Sequence, residues 1–519
     1  MNKNRLVDTI KEHLAAAILI GIVAIIYIIN MFKNGPWYDE LYTYYYFISR
    51  GPIYAAIHWP VPNNHVGYSV LSAFLDFFGN PYVGLRGISV ICGVVNLSLI
   101  YYLCNKFMNK FFAFSAMALY AGSYLPFRLS FQGRGYTLAA CCLLVSTCAI
   151  YKISLGDCRL RYNVTFAASL TLGLYTVPSS IYWVIPVCIS GGLFLLLKKR
   201  YRDLFRLIAS GVMAAIATFF LYLLIWLAIG ANLLSKDSES AYYSLSQVKI
   251  ILKAPFSAAG TGIDYMLASP YIQSIDRLEC IKKLPEYFIS LLGNFYANTG
   301  VLLLILTVLV LVLNVVIAVR SCKNGGNAFL SLFACCGLLV VPVMLIIQSV
   351  HPYLRVLSFY AIFLFIGLLN AMSETSTWLN KKSVSCGLGV LMFIMSVAIC
   401  LSNSLGGYYN GPLAERENDI NKALSQMENV SQIDTIFYTD DFQKYVLKFY
   451  YDVNPQEVYV MEDADFVITG PEFWDNTNAS PEWPILYGYS DGFTNYVNSN
   501  MTKIAGSETY SIYKKNTEH

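Results

Sequence analysis

A chain of 519 residues that is 56% hydrophobic and only 13% charged carries more apolar surface than soluble cores of that length bury. The composition excludes a soluble enzyme and predicts a polytopic α-helical membrane protein. A net charge of +4, spread over short loops, gives no reason to expect a nucleic-acid partner.

Apolar runs of about 20 residues are long enough to cross a bilayer. About eleven follow one another, near 14–32, 82–103, 111–128, 134–151, 163–178, 181–197, 207–229, 299–319, 327–349, 354–371 and 385–402. The first is long enough to span and no small-residue cleavage pattern follows it, so it reads as a retained span and not as a removed signal peptide. Cationic side chains resist translocation, so short cytoplasmic loops gather them. Alternate connections are basic, at Lys3, Arg5 and Lys11; Lys106 and Lys110; Lys152, Arg159 and Arg161; Lys198–Arg206; Arg320 and Lys323; Lys381 and Lys382. The turns near 33–80, 175–180 and 350–353 are poor in Lys and Arg. The expected arrangement is a multi-pass protein of the inner or plasma membrane, with the N-terminus cytoplasmic and the C-terminus outside.

The first outward loop, 33–81, opens with Asn34-Gly-Pro-Trp-Tyr-Asp-Glu-Leu-Tyr-Thr43. It sets two carboxylates, Asp39 and Glu40, directly after a span, where ionisable groups are candidates for function. A solvated pair, or a pair capping the helix that Pro36 starts, is the competing reading. Trp37, Leu41, Tyr45 and Ile48 recur at helical spacing, which predicts a helix lying in the membrane interface. Neighbours on a helix point about 100° apart, so Asp39 and Glu40 are expected to take different roles. A second short helix is expected over Ile53–Trp59, and Pro60-Val-Pro-Asn-Asn-His65 then leads into Val66–Phe78, an apolar stretch too short to span.

Asp39-Glu40 in a first outward loop with interfacial helices, Asn64-His65 opening an apolar half-helix and Gly133-Arg134-Gly135-Tyr136 opening a later span together resemble membrane glycosyltransferases of the C fold. The protein mannosyltransferase and aminoarabinose-transferase-like group is the nearest in pattern. The resemblance covers the first 200 or so residues well and the remainder by topology. It implies a polyprenyl-phosphate-linked sugar as donor and places the family's proposed catalytic aspartate on Asp39, with Glu40 as the second member of the mannosyltransferases' Asp-Glu pair. The family's His-Pro-Pro pattern is met only at its histidine, because Val66 and Gly67 follow His65. Arg355, in His351-Pro-Tyr-Leu-Arg355, resembles the family's arginine at the start of a late outward helix.

The chemistry agrees with that resemblance. A carboxylate within reach of an acceptor hydroxyl can take its proton as the phosphate leaves, and the leaving phosphate suits the bidentate fork of arginine. Arg134 and Arg355 are the phosphate candidates, with headgroup snorkelling as the other reading of either. His65 is read as a proton carrier or ligand against a structural hydrogen-bonding residue, and Gln132 and His351 face the same side. Tyr42 is the sugar-binding candidate among Tyr42, Tyr44, Tyr45, Tyr46 and Trp59, which an interfacial aromatic belt also explains. The sequence calls for no cofactor, and Asp39 and His65 are the candidate ligands should a divalent cation take part.

The outward loop 231–296 reads either as a lid or as a flexible connector. Of 13 cysteines, most fall inside spans, where they pack as small apolar residues. From 405 to 519 the composition becomes that of a soluble α/β domain, beyond a transmembrane domain of 1–404. Helices are expected over Glu415–Glu428 and Asp441–Tyr451, with strands over Asp434–Thr439, Glu457–Met461, Asp465–Thr469 and Thr509–Lys514. Asp463-Ala-Asp465 matches a metal-nucleotide motif, but it brackets a turn before an apolar strand.

The function expected is transfer of a sugar from a polyprenyl-phosphate donor to a lipid, surface polysaccharide or protein outside the membrane, with inversion and with Asp39 as base. A ligase or polymerase drawing on a polyprenyl-diphosphate carrier, and a non-enzymatic lipid or polysaccharide transporter, are the alternatives. Repeated halves, which would favour a transporter, are not evident.

Overall fold

The structure, a computed structural model, describes residues 3–58, 64–157, 159–229, 275–324, 326–378, 382–405, 419–439, 441–470 and 491–516. Loop 231–296 is described only from 275 onward, Trp59 and residues 415–418 of the expected helix Glu415–Glu428 lie outside the described residues, and that helix is present over 419–424. The chain forms two compact units, Met1–Met31 with Phe47–Tyr408, and Phe32–Tyr46 with Tyr409–His519.

The first unit is helical. Nine helices among the described residues are long and apolar enough to cross a membrane, from His13–Lys33 through Cys386–Leu405. The expected run 111–128 is two shorter helices, Lys110–Gly122 and Tyr124–Leu129, and 163–178 is the 17-residue helix Leu160–Thr176. The break falls at Ser123, whose extended backbone caps both helices, and Pro126, in the first turn of the second helix, needs no N–H partner there.

Hydrogen bonds between helices set their relative level. Ser89 Oγ donates to Gln132 O at 2.6 Å and Asn96 Nδ2 donates to Thr137 O at 3.2 Å, so Tyr136–Ser154 begins beside the middle of Pro81–Cys104. A β-carbon on Gly135 would stand 2.5 Å from Thr176 Cγ2 and one on Gly67 only 2.8 Å from Thr176 Oγ1. The end of Leu160–Thr176 and the start of the half-helix Val66–Asp76 thus join the start of Tyr136–Ser154 at the same level, and three helix ends converge there.

The second unit is a five-stranded sheet with helices. Strands β1 (Thr435–Tyr438), β2 (Gln456–Glu457), β3 (Phe466–Thr469), β4 (Met501–Gly506) and β5 (Ser511–Lys515) lie in the order β2-β1-β3-β5-β4. β1 runs parallel to β2 and β3, and β5 is antiparallel to β3 and β4. Asp465 accepts from Thr435 Oγ1, and its own N–H donates back to that hydroxyl at 3.0 Å. That reciprocal pair closes β3 onto β1 and gives Asp465 a structural partner.

The helix Tyr38–Tyr46 belongs to this second unit. Leu41, fully buried, sits in a hydrophobic cluster whose other buried members, Ile420 to Ile512, all come from the C-terminal region. The apolar stripe of the first loop is thus satisfied at Leu41 and Tyr45 by protein.

Candidate active site

The six predicted site residues divide between the units, with His65, Arg134 and Arg355 in the first and Asp39, Glu40 and Tyr42 in the second.

In the first unit the backbone builds the site around His65. Asn64, buried beside it, donates from Nδ2 to Ala55 O at 3.1 Å and His58 O at 2.9 Å and accepts from Ser69 Oγ at 2.7 Å. These bonds tie the short helix Pro52–Ile57 to the head of Val66–Asp76, where His65 is the N-terminal cap residue. Gly135 N–H donates to His65 Nδ1 at 2.8 Å. A β-carbon at position 135 would stand 3.1 Å from that nitrogen, so glycine is what allows the approach. The glycine before Arg134 is equally constrained, since a β-carbon at Gly133 would meet Leu85 Cδ1 at 2.4 Å.

Because Nδ1 accepts from the backbone, the neutral imidazole carries its proton on Nε2. That nitrogen lies 3.3 Å from Arg134 Nη2. Two donors do not hydrogen-bond to one another; what an N–H and a guanidinium share is affinity for an oxyanion. Burial first, then the charges of Arg134 and Arg355, hold His65 well below the usual imidazole range. A buried ring that stays neutral is suited to donating a hydrogen bond and unsuited to carrying a proton near pH 7. The edge of Tyr136 closes the other side, with ring centroids 4.9 Å apart. Arg355 is half-buried, with its guanidinium 4.4 Å from the centre of the Tyr353 ring.

Two further candidates have structural partners. His351 stacks on Tyr287 at 4.9 Å, and its Nε2 lies 3.2 Å from Cys280 O, joining the turn before Arg355 to the helix Arg277–Gly293. The Gln132 side-chain oxygen accepts from Arg128 Nε at 2.8 Å. Sequence reasoning passed over Arg86, which is 1% exposed inside the span Pro81–Cys104 and donates to Met31 O at 2.8 Å. Its signal was a single arginine within a long apolar run.

In the second unit, Tyr38–Tyr46 starts at Trp37. The Glu40 carboxylate accepts from Trp37 N–H at 3.2 Å while Trp37 O accepts from the Glu40 and Leu41 N–H groups. This is the back-bonded half of a capping box, so the capping role weighed for the pair falls to Glu40, which is fully buried. Asp39, in the same first turn, is half-buried, and its carbonyl accepts from Thr43 Oγ1 at 2.7 Å. Tyr42 stacks on Tyr46 with ring centroids 4.3 Å apart. Among the described residues no group of three or more His, Cys, Asp and Glu side chains comes together as a metal site.

The family described as dolichyl-phosphate-mannose-protein mannosyltransferase matches residues 65–228, the stretch that holds His65, Arg134 and Gly135. The fold is similar to that of ArnT from Cupriavidus metallidurans. The structure of that protein bound to undecaprenyl phosphate aligns with a TM-score of 0.55 at 11% identity, over 96% of this chain and 97% of that one. Its apo state aligns with a TM-score of 0.53 at 10% identity over the same shares. No curated protein sequence matches the chain. At such identities the likeness carries the fold: a multi-pass membrane protein with the C-type glycosyltransferase architecture and a small C-terminal sheet domain.

Proposed function

From a chain of the membrane glycosyltransferase C fold, with the mannosyltransferase family's match over residues 65–228, we propose that it transfers a sugar from a polyprenyl-phosphate carrier to an acceptor outside the membrane. The acceptor is a hydroxyl-bearing lipid, surface polysaccharide or protein. Its oxygen attacks the anomeric carbon as the bond from that carbon to the phosphate oxygen breaks. The electron pair leaves with the polyprenyl phosphate, and the acceptor proton passes to Asp39. One direct displacement inverts the anomeric configuration.

The observation that carries this reading is the set formed by neutral His65, Arg134 and Arg355. Nε2–H of His65 lies beside one guanidinium at 3.3 Å and in the field of the other. Fixed donors of this kind favour an oxygen that gains charge as a bond breaks, which is what a leaving phosphate presents. Glu40 serves through its bond to Trp37 N–H, which fixes the first turn in which Asp39 sits, and Tyr42 supports the same helix by stacking. The bound undecaprenyl phosphate of the ArnT structure supports the class of carrier.

The test is transfer of radiolabelled sugar from polyprenyl-phosphate donors by the purified protein and by Asp39→Asn, which keeps the shape and removes the base. Loss of a positioned base lowers turnover by roughly 10²–10⁴-fold. A folded variant that transfers as well as the wild type removes Asp39 from the mechanism.

A further inference from the structure

The role of the C-terminal unit follows from which helix it holds. Helix Asp441–Tyr451 faces Tyr38–Tyr46 through one side chain above all: Tyr445, 4% exposed. Its ring stacks on Tyr45 at 5.7 Å with planes 16° apart, and meets Tyr38 at 6.0 Å, Tyr46 at 6.3 Å and Tyr42 at 6.5 Å. Lys448, one turn on, places its ammonium 4.8 Å from the centre of the Tyr45 ring, and Phe449 meets Tyr44 edge-on at 5.9 Å. Leu41 completes the attachment from the opposite direction, by entering the C-terminal core.

The supporting helix is itself fixed to the sheet. Lys444 pairs with Glu457 of β2 at 2.8 Å, and Gln443 bonds Thr439 just after β1 through both its amide oxygen and its amide nitrogen. A continuous set of packed side chains therefore runs from β1 and β2 through Tyr445 to the helix whose first turn bears Asp39. Residues 32–46 leave the membrane unit after Met31 and return to it at Phe47. Between those points, Leu41 and Tyr45 pack in the hydrophobic core of the C-terminal unit.

We propose that the C-terminal unit is the device that positions the Asp39 helix for catalysis, with Tyr445 as its positioning residue. A stack on a rigid helix fixes orientation in a way a solvated loop does not, and a displacement of about 1 Å at a reacting group costs about 10²-fold in rate. The proposal rests on the reading of Asp39 as the base.

The experiment uses the full chain in lipid nanodiscs and compares wild type, Tyr445→Ala, Tyr445→Phe, Tyr45→Ala and Asp39→Asn. Amide hydrogen exchange is followed on the peptide covering 37–46 and on the strands 435–438 and 466–469, and kcat and KM for a polyprenyl-phosphate donor are measured alongside. The expected result for Tyr445→Ala is lost protection over 40–46 with the strands still protected. Turnover falls about 10²-fold and donor KM stays unchanged, because the phosphate-binding residues lie in the other unit. Tyr445→Phe keeps the ring and restores both readouts. If Tyr445→Ala loosens the strands as well, Tyr45→Ala, which removes the stack from the other side, decides in the same way. Full turnover in Tyr445→Ala beside an inactive Asp39→Asn overturns the positioning role alone. Unchanged protection over 40–46, or a Tyr445→Phe as impaired as the alanine variant, overturns it too. An active Asp39→Asn removes the base itself, and the positioning role falls with it, while the exchange data still report whether the helix is held.

Discussion

His65 has its chemistry set by backbone and charge together. Gly135 N–H fixes the tautomer, and burial first, then Arg134 and Arg355, keep the ring neutral, so the two nitrogens can be tested apart. In His65→Asn the side-chain oxygen stands near the Nδ1 position and still accepts from Gly135, while the donor at Nε2 is gone. In His65→Gln the amide reaches the Nε2 position and the Gly135 N–H is left buried without its acceptor. The expected outcome is that His65→Asn folds normally and loses about 10²-fold in transfer, whereas His65→Gln loses about 1–3 kcal/mol of stability. A pH effect accompanies the pair. The unfolded chain takes up the imidazole proton near pH 6.5 and the folded chain does not, so the unfolded state binds more protons and stability rises with pH across that window. Wild-type stability therefore falls below about pH 6.5, with a limiting slope of about 1.4 kcal/mol per pH unit. Thermal midpoints between pH 7.5 and 5 should show that slope in the wild type and a flatter one in His65→Asn. His65 and the Gly133-Arg134-Gly135 stretch were each legible as motifs, but the bond that pairs them was not. Nor was the tautomer, because it depends on a backbone N–H 70 residues away that no local pattern encodes.

Spans are legible as apolar runs because the bilayer requires them, but what joins them is a matter of single polar side chains. Asn370 donates to Asn314 Oδ1 at 2.9 Å and to Ser331 Oγ at 3.0 Å, and Asn314 in turn donates to Gly367 O at 2.9 Å. Three membrane-spanning helices, Gly300–Lys323, Phe329–Gln348 and Leu354–Thr377, are thereby fastened at depth, where alternative partners are scarce. Such bonds contribute about 0.6–2 kcal/mol each within a bilayer. Asn370→Leu should accordingly lower the thermal midpoint in detergent while leaving donor KM and turnover unchanged, which transfer assays on the same preparation would check. The sheet shows where periodicity failed. β3 was readable because Phe466, Val467 and Ile468 are all buried. β4 was not, because only Met501 and Ala505 of its first five residues turn inward and a register shift between Lys503 and Ala505 breaks the two-residue repeat. The expected strand at Glu457–Met461 stops at Glu457, and its end becomes the turn Met461–Asp463.

For the whole molecule, the composition shift near residue 405 was visible because a soluble core and a bilayer span select different side chains. The recruitment of Phe32–Tyr46 into the C-terminal unit was not. An aromatic stripe at helical spacing serves a membrane interface and a protein core equally well, and only the partner decides between them. Sidedness, by contrast, is an expectation that rests on charge. Among the described residues the nine long apolar helices form an odd number, and counting the runs 111–128 and 163–178 as a further pair keeps it odd, so the segments before the first and after the last are expected on opposite faces under either count. Cationic connections resist translocation, so the expectation to be tested is that the Arg320–Lys323 and Lys381–Lys382 connections lie inside and the sheet outside. Native Cys322 and Cys386, both exposed, sit at those two connections with two helices between them, and so should share a face. Ser431, exposed in the C-terminal unit, supplies a site on the other through Ser431→Cys. With a membrane-impermeant maleimide on intact cells, and labelled peptides mapped by mass spectrometry, Ser431→Cys should label at once, whereas Cys322 and Cys386 should label only after permeabilisation. Labelling in the opposite sense would set the sheet and the Asp39 helix on the cytoplasmic face, where nucleotide-activated sugars are at hand, and the polyprenyl-phosphate donor would lose its rationale.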